Sequence, residues 1–317
     1  MKVFVTRRIP EKGLELLAGK YTVEVWPEET APPKEALIEK VREAQGLVSL
    51  LSDPVDREVI EAGSELKVIA NYAVGYDNID IAAASRHGIQ VTNTPGVLTD
   101  ATADLAFALL MSTARRIVEA DHYTRAGMWK GWGPKLMLGQ EVSGSSLGII
   151  GLGRIGAAMA KRGAGFGMDL YYTSRSPHPE VEAELGITRL ELEELLQNCD
   201  FISLHCPLTE ETEGLIGEQE LKLMKEDAIL VNTARGKVVD QDALYRALKE
   251  GWIAGAGLDV FDPEPLPAGH PILKLDNVVV APHIGSAGSR TREKMAEMVA
   301  KDVISVLEGR QPENPVN

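Results

Sequence analysis

The sequence predicts an α/β protein made of two doubly wound domains, each with a parallel β-sheet between layers of helices. Short apolar, β-rich runs alternate with amphipathic helical stretches along the chain, a pattern typical of parallel sheets. This series is interrupted once, by a long helical pattern after residue 98. The length of 317 residues also suits two domains, at roughly 100–200 residues each.

The first series of strand-like runs precedes that interruption. Turn chemistry in the segment Asn93-Thr94-Pro95-Gly96 ends its last strand. We therefore expect the first sheet to lie within residues 1–98. Its predicted strands are Lys2–Thr6, Thr22–Trp26, Gly46–Ser49, Lys67–Ala70 and Gln90–Thr92.

Two long helical patterns mark the limits of the second series. The first runs from Asp100, the predicted N-cap residue, to about Arg125, and we expect one helix that crosses between the domains. The second, Ser289–Leu307, is expected to return to the first sheet. The predicted domains are therefore residues 1–98 with 287–317, and residues 99–286. The strands predicted for the second domain are Leu147–Ile150, Asp169–Tyr172, Phe201–Leu204, Ala228–Val231, Ala254–Leu258 and Val278–Val280.

Composition argues against several classes of protein. Hydrophobic residues make up 44% and charged residues 25%, so each domain can bury a core without disulfides or a metal. The net charge of −14 argues against a nucleic-acid-binding surface, which needs a basic face. No apolar run approaches the length of a membrane span, and Arg7, Arg8 and Pro10 interrupt the first run too soon for a signal peptide. Cys199 and Cys206 lie in or beside apolar strands and are interpreted as reduced core thiols, which predicts a cytoplasmic protein.

A glycine-rich segment follows the first strand of the second series. Leu147–Ile150 runs directly into Gly151-Leu152-Gly153-Arg154-Ile155-Gly156, and a helical pattern continues from there. In this context Gly151 permits a tight turn, Gly153 lets the backbone approach a pyrophosphate, and Gly156 lets helix and strand pack closely. The helix N-terminus then faces the anion. The segment predicts a Rossmann-like dinucleotide-binding domain.

The next strand indicates which dinucleotide is preferred. About twenty residues after the glycines, NAD-binding domains carry an acidic residue, but here the strand ends in Tyr172-Thr173-Ser174-Arg175-Ser176. Hydroxyl groups and a guanidinium suit the 2′-phosphate of NADP(H). NADP(H) is therefore favoured, with NAD(H) as the alternative. In the competing interpretation Arg175 only stacks on the adenine or lies in solvent.

Three loops at predicted carboxyl ends of strands carry groups suited to reaction at a carbonyl. Hydride transfer to a carbonyl carbon needs a proton donor for the oxygen and a cation for a neighbouring carboxylate. Arg235, in Asn232-Thr233-Ala234-Arg235-Gly236, offers the cation, and His283, in Pro282-His283-Ile284-Gly285-Ser286, offers the acid. Glu264, between two prolines, offers a carboxylate to orient the imidazole. Taken singly such residues are usually structural or solvated, so their shared position at one sheet edge is the argument.

Together these segments resemble the D-isomer-specific 2-hydroxyacid dehydrogenase family, and the resemblance covers nearly the whole chain. It includes the segment Asn71–Asp80, which is similar to the family's substrate-domain loop, and Asn93–Gly96 with Thr102-Ala103-Asp104, which are similar to its interdomain crossing. The resemblance implies that His283 protonates the carbonyl oxygen, that Glu264 is its partner and that Arg235 binds the carbonyl and carboxylate. The active site would lie in an interdomain cleft that closes to exclude water.

The same resemblance implies the remaining contacts with ligands. Main-chain donors around Val74 and Gly75 would bind the far side of the carboxylate, and no metal site is expected. The predicted substrate-binding residues are Leu51, Val74, Gly75, Trp132, Arg235, His283 and Ser286. The predicted cofactor-binding residues are Thr102, Gly151, Leu152, Gly153, Arg154, Ile155, Gly156, Ser174, Arg175, Ser176, Cys206, Pro207, Thr233, Ala234, Arg235, Asp259, His283 and Gly285.

Two segments are most similar to the glyoxylate and hydroxypyruvate reductases of that family. They are Ser174-Arg175-Ser176 and Trp129–Pro134, and they imply reduction of glyoxylate to glycolate and of hydroxypyruvate to D-glycerate. In that branch a tryptophan from this segment can reach the neighbouring subunit's site, so Trp132 is a candidate wall of the substrate site in a homodimer. The alternative is a tryptophan that only packs in the dimer interface. Glu264 argues against formate dehydrogenases, which pair the histidine with glutamine.

Two other functions stay open at this point. The chain resembles other D-2-hydroxyacid dehydrogenases as well, such as 2-ketogluconate reductase or D-lactate dehydrogenase. From a different class, dinucleotide-sensing co-repressors share the fold and bind protein partners, since a fold does not fix a function. Turnover of a dinucleotide would separate an enzyme from such a binding protein.

Overall fold

The computed structural model describes all 317 residues, which form two compact units. The first unit comprises Met1–Leu98 and Ser286–Asn317, and the second comprises Thr99–Gly285. The chain therefore leaves the first unit once and returns to it near its C-terminus, whereas the second unit is continuous.

The first unit contains a sheet of five parallel strands, and all five were predicted from the sequence. They are β1 (Lys2–Val5), β2 (Thr22–Val25), β3 (Gly46–Ser49), β4 (Val68–Asn71) and β5 (Gln90–Thr92). Their spatial order is β2-β1-β3-β4-β5. The order reverses between β1 and β3, so the loops after these strands flank the kind of switch point at which doubly wound sheets bind ligands. The helices of this part are α1 (Glu11–Ala18), α2 (Lys34–Val41), α3 (Arg57–Ala62) and α4 (Ile81–Arg86).

The second unit contains a sheet of seven parallel strands. They are β6 (Ser146–Ile150), β7 (Asp169–Thr173), β8 (Thr188–Arg189), β9 (Phe201–Leu204), β10 (Ile229–Asn232), β11 (Gly255–Leu258) and β12 (Val278–Val280). Their order is β12-β11-β10-β9-β6-β7-β8, which reverses between β6 and β9. The two parallel-sheet α/β domains predicted from the sequence are confirmed. The edge strand β8 was not predicted, because two residues are too few to show an alternating pattern.

Helices cover this sheet and connect its strands. They are α5 (Thr99–Ala114), α6 (Ile117–Arg125), α7 (Arg154–Gly165), α8 (Pro179–Leu185), α9 (Leu192–Asn198), α10 (Glu218–Leu223) and α11 (Gln241–Glu250), with 3₁₀ turns at Gly236–Val238 and Pro271–Lys274.

The single helix predicted from Asp100 to Arg125 is wrong in two respects. The chain forms α5 and α6 instead, and the break lies at Arg116, whose φ of +52° is left-handed and cannot continue a helix. Asp100 lies within the first turn of α5 rather than at its N-cap. No glycine or proline marks the break, so the sequence carries no local signal for it.

The last helix, α12 (Ser289–Leu307), belongs to the first unit and packs on α1, β3 and β4. Gly13 in α1 allows the closest approach, because a Cβ there would lie 2.6 Å from the carbonyl oxygen of Ala296. The helix buries Met295, Val299 and Val303 against the unit. It therefore completes the hydrophobic cover of a sheet whose strands lie far earlier in the chain.

Neither membrane nor metal features are found. None of the helices is both long and apolar enough to cross a membrane. No group of three or more His, Cys, Asp or Glu side chains is arranged to hold a metal ion.

Candidate active site

The glycine-rich segment connects β6 to α7 at the switch point of the seven-stranded sheet. Gly151 has a φ of +96°, and a Cβ there would lie 2.6 Å from the backbone nitrogen of Cys206. A Cβ on Gly156 would lie 2.1 Å from the carbonyl oxygen of Gly151. Gly153 is the N-cap residue of α7, and the space beside it is open. The turn therefore requires glycine at both ends and leaves the helix N-terminus accessible to an anion.

The other predicted residues at this switch point line the same turn. Leu152 is buried, and Arg154 and Ile155 form the first turn of α7. Cys206 and Pro207 follow β9; Cys206 is buried, and burial raises the pKa of its thiol to about 11. Cys206 is therefore a neutral, apolar side chain beside the glycines rather than a reactive thiolate.

The end of β7 carries hydroxyl groups and two guanidinium groups. Ser174 donates from Oγ to the carbonyl oxygen of Ser176 at 2.5 Å, and Arg175 and Ser176 are exposed. Arg189, in β8, donates from Nη2 to the carbonyl oxygen of Ser174 at 2.9 Å. Sequence reasoning missed Arg189, because only the pairing of β8 with β7 brings it to this turn. The turn thus presents two cations and has no carboxylate of its own.

Arg235 lies in the loop after β10, and this loop is held by its own side chains. Asn232 donates from Nδ2 to the carbonyl oxygen of Arg235 and accepts at Oδ1 from the N–H of Ala234, both at 2.9 Å. Arg235 donates from Nη1 to the carbonyl oxygen of Ala234 at 2.8 Å. A Cβ on Gly236 would lie 2.0 Å from the carbonyl carbon and oxygen of Phe261. The loop after β10 is therefore pressed, backbone to backbone, against the loop after β11.

His283 and Glu264 meet at the carboxyl edge of the same sheet. Nδ1 of His283 lies 2.9 Å from Oε2 of Glu264, and Oε1 of Glu264 accepts from the N–H of Phe261 at 3.0 Å. His283 follows β12 and has a φ of +54°, which is uncommon for a non-glycine residue; its N–H donates to the carbonyl oxygen of Asp259 at 2.9 Å. Because Nδ1 faces the carboxylate, Nε2 is the ring nitrogen left to exchange a proton with a ligand.

Opposing effects set the pKa of Glu264. Burial raises it, whereas the contact with His283, the N–H of Phe261 and the charge of Arg235 lower it. The lowering effects prevail, so the pKa of Glu264 lies below its ordinary value and the carboxylate is ionised at neutral pH. An ionised Glu264 can orient the imidazole ring and balance the charge of an imidazolium.

Asp259, Thr102 and Gly285 lie together beside this pair. Asp259 is buried, and its carboxylate accepts from the N–H of Ile284 at 2.7 Å and of Gly285 at 2.8 Å. Burial raises the pKa of Asp259 above its ordinary value. A Cβ on Gly285 would lie 3.2 Å from Cγ2 of Thr102. Asp259 thus anchors the turn that carries His283.

The predicted substrate-binding residues of the first unit lie in loops at the carboxyl edge of the five-stranded sheet. Leu51 follows β3, and Val74 and Gly75 follow β4. Neither the N–H of Val74 nor that of Gly75 donates to a protein acceptor. Ser286 begins the returning segment, and its carbonyl oxygen accepts from Nε of Arg292 at 3.1 Å.

Trp132 lies in the second unit and is 86% exposed. With so little burial it forms no wall of a site within a single chain. Several other large apolar side chains close to Trp132 in sequence are also exposed, which is unusual, since contiguous apolar surface marks interaction sites. They are Ile117, Val118, Met128, Trp129, Leu136 and Leu138.

Comparison with known proteins assigns the chain to a family. Residues 107–285 match the NAD-binding domain of D-isomer-specific 2-hydroxyacid dehydrogenases. A glyoxylate reductase of Korarchaeum cryptofilum is 57% identical over 317 residues, which cover 100% of this chain and 96% of that protein. The chain belongs to the D-isomer-specific 2-hydroxyacid dehydrogenase family.

Solved structures agree with this assignment. A protein of Thermus thermophilus superposes with a TM-score of 0.95 at 51% identity, with all of both chains covered. An NADPH-dependent glyoxylate/hydroxypyruvate reductase of Sinorhizobium meliloti, solved with NADP and malonate, superposes with a TM-score of 0.87 at 31% identity and covers 99% of this chain and 96% of its own. The chain is therefore an oxidoreductase that acts on the CH–OH group of small 2-hydroxyacids or the carbonyl of the matching 2-oxoacids.

The family's nicotinamide dinucleotide fits the residues of the second unit. The turn at Gly151 and Gly156 has no room for side chains, whereas the space at Gly153 and the helix N-terminus is open to a pyrophosphate. Thr233 supplies an independent observation, since its Oγ1 is buried without any hydrogen-bond partner. A buried hydroxyl of this kind requires a partner, and a ligand in the predicted site would provide one.

Proposed function

We propose that this chain reduces glyoxylate to glycolate and hydroxypyruvate to D-glycerate. The observation that carries the proposal is the 2.9 Å contact between His283 and an ionised Glu264, at the sheet edge that also carries Arg235. A proton donor and a cation are the groups that reduction of a 2-oxoacid requires. The relative from Korarchaeum cryptofilum, 57% identical over the whole chain, bears the name glyoxylate reductase.

Each of these residues has one task in the proposed reaction. The bound dinucleotide supplies the hydride. Arg235 binds the substrate carboxylate and the carbonyl oxygen through its fork of N–H donors. His283 donates a proton from Nε2 to that oxygen as it gains negative charge, while Glu264 holds the ring through Nδ1. The N–H groups of Val74 and Gly75 bind the other side of the carboxylate.

NADP(H) is the proposed cofactor, with NAD(H) as a weaker one. The 2′-phosphate is a dianion with several acceptor oxygens, and Arg175 and Arg189 are cations at the turn after β7. Ser174 and Ser176 add hydroxyl groups at the same turn. An acidic residue, which would repel that phosphate, is absent from the turn itself.

The exposed apolar segment around Trp132 supports a homodimer as the proposed assembly. A second copy of the chain is the proposed occupant, and Trp132 would then contribute to the partner's substrate site or pack within the interface. The buried, unpaired thiols of Cys199 and Cys206 are compatible with the cytoplasmic location we propose.

One set of assays tests the proposal. The rate of oxidation of NADPH, and separately of NADH, is measured by nicotinamide absorbance. Each of four acceptors is assayed in turn: glyoxylate, hydroxypyruvate, pyruvate and 2-ketogluconate. We expect the fastest turnover with NADPH and glyoxylate or hydroxypyruvate. Faster turnover of pyruvate or 2-ketogluconate would move the enzyme to another branch of the family, and tight dinucleotide binding without turnover would indicate a binding protein.

The variant His283→Ala separates chemistry from binding. It should lose nearly all turnover and keep its NADPH affinity, because the missing group acts on the substrate oxygen. Turnover equal to that of the wild type would exclude His283 as the proton donor.

A further inference from the structure

The loop after β4 is held by three consecutive carbonyl groups. The carbonyl oxygen of Ala73 accepts from the N–H of Thr94 at 2.9 Å. The next, on Val74, accepts from Nδ2 of Asn93 at 2.8 Å. The third, on Gly75, accepts from Nδ2 of Asn71 at 2.8 Å. Every peptide group from residue 73 to residue 76 is thus fixed through its oxygen.

These contacts determine where the amide hydrogens point. In a planar trans peptide the N–H is directed opposite to the C=O of the preceding residue. The N–H groups of Val74, Gly75 and Tyr76 are therefore all turned away from the donors that hold the oxygens. None of the three donates to a protein acceptor. Three adjacent N–H groups without protein acceptors are free to donate to an anionic ligand.

Asn71, one of the two amide side chains that hold the loop, is itself held by its neighbours. Oδ1 of Asn71 accepts from the hydroxyl of Ser49 at 3.1 Å, and its Nδ2 also contacts Oδ1 of Asn78 at 3.2 Å. Asn78 donates to the carbonyl oxygens of Leu50 and Asp53, both at 3.0 Å. The loops after β3 and β4 are therefore tied together, and the N–H groups are preorganised rather than ordered by the ligand.

We propose that Asn93 and Asn71 are positioning residues for the substrate carboxylate, and that the N–H of Tyr76 is a third donor to it beside those of Val74 and Gly75. The inference rests on the proposed function for the identity of the ligand, a small 2-oxoacid. Asn93 sets the direction of the Gly75 N–H, and Asn71 sets that of the Tyr76 N–H. Neither side chain touches the substrate, so each acts through the peptide group it holds.

Asn93→Ala is the primary test. Asn93 is only half-buried, and its replacement frees the Val74 carbonyl and with it the Gly75 N–H. A hydrogen bond to a charged group contributes enough that its loss weakens binding about ten- to a hundredfold. We expect the KM for glyoxylate and the Kd for oxalate, an unreactive carboxylate of similar size, to rise by that factor. The kcat should stay within about twofold, as for loss of uniform binding, and the NADPH affinity should not change.

Gln90→Ala is the matched control. Gln90 begins β5, the strand that Asn93 directly follows. It donates to the carbonyl oxygens of Val91 and Asn317, but not to the loop after β4. It should leave the KM for glyoxylate and the Kd for oxalate unchanged. Ser49→Ala is a second, milder test, because it removes the donor to Asn71; the KM should rise about threefold.

The outcomes separate this inference from the proposed function. If Asn93→Ala binds glyoxylate and oxalate like the wild type, the positioning role is wrong while the reductase activity stands. A parallel loss of thermal stability, NADPH affinity and kcat would show a merely structural role and would also overturn the inference. If the wild type reduces no 2-oxoacid, the proposed function fails, and oxalate titrations of the wild type and Asn93→Ala still decide what Asn93 does.

Discussion

The close contact at Gly236 gives a prediction whose size follows from the structure. In Gly236→Ala the new methyl group would lie 2.0 Å from the Phe261 carbonyl, whereas ordinary contact begins at 3.4 Å, so the two loops must separate by about 1.4 Å. One loop carries Arg235 and the other carries Glu264. A misplacement of about 1 Å at reacting groups lowers rates about a hundredfold. We therefore expect kcat/KM for glyoxylate to fall at least about a hundredfold, or about 2.7 kcal/mol of transition-state stabilisation.

Steady-state assays of NADPH oxidation, with a thermal melt to verify folding, measure this effect. Gly165→Ala is the matched control, because Gly165 ends α7, has no positive φ and has nothing within 4 Å of its Cβ position. The control should keep the wild-type kcat/KM. If folded Gly236→Ala also keeps it, the spacing of the loops that carry Arg235 and Glu264 does not govern the reaction, and the argument from this contact is wrong.

Three further predictions follow from single side chains. Arg235→Lys keeps the charge but loses the fork of donors, so both the KM for glyoxylate and kcat should worsen by at least about tenfold; unchanged kinetics would exclude Arg235 as the substrate clamp. Arg175→Ala should raise the Kd of NADPH about tenfold and that of NADH little, and equal weakening in titrations of the two would favour stacking on the adenine. Burial lowers the pKa of His205 from 6.5 to about 4, so its contribution to the free energy of unfolding is complete above about pH 6.5 and is lost as the pH falls towards 4, by at most about 3 kcal/mol. Denaturant titrations across that range should show a flatter pH dependence for His205→Asn, and a slope equal to that of the wild type would contradict the assignment.

The sequence predicted best what depends on backbone chemistry or on a regular pattern. The turn requires glycine at positions 151 and 156, because a Cβ at either position would collide with backbone atoms. The parallel strands could be predicted from the sequence because apolar runs, typical of buried strands, recur between helical patterns. The positions of His283 and Glu264 after strands predict that they lie at one sheet edge, and in the structure Nδ1 of His283 is 2.9 Å from Oε2 of Glu264.

What the sequence could not show depends on contacts between distant segments. Arg116 breaks the predicted long helix with a left-handed backbone that no glycine announces. Arg189 joins the turn after β7 only through a two-residue edge strand. Asn93 and Val74 are 19 residues apart in the sequence, and they form a hydrogen bond because β4 and β5 are neighbours in the sheet. Predicting such contacts requires knowledge of which strands pair and in what register. The hydrophobic pattern of the sequence does not contain this information.

The return of α12 to the first unit has a consequence for biosynthesis. The ribosome completes β3 and β4 long before it makes the helix that covers them, and the whole second unit emerges in between. Since domains fold as units during synthesis, the continuous second unit can fold first, while the first sheet waits with an uncovered apolar face. Gly46 in β3 leaves room for Val303 on that face, and Gly13 in the neighbouring helix α1 leaves room for Ala296. The nascent chain therefore exposes an apolar sheet face from the completion of β4 until α12 has been made.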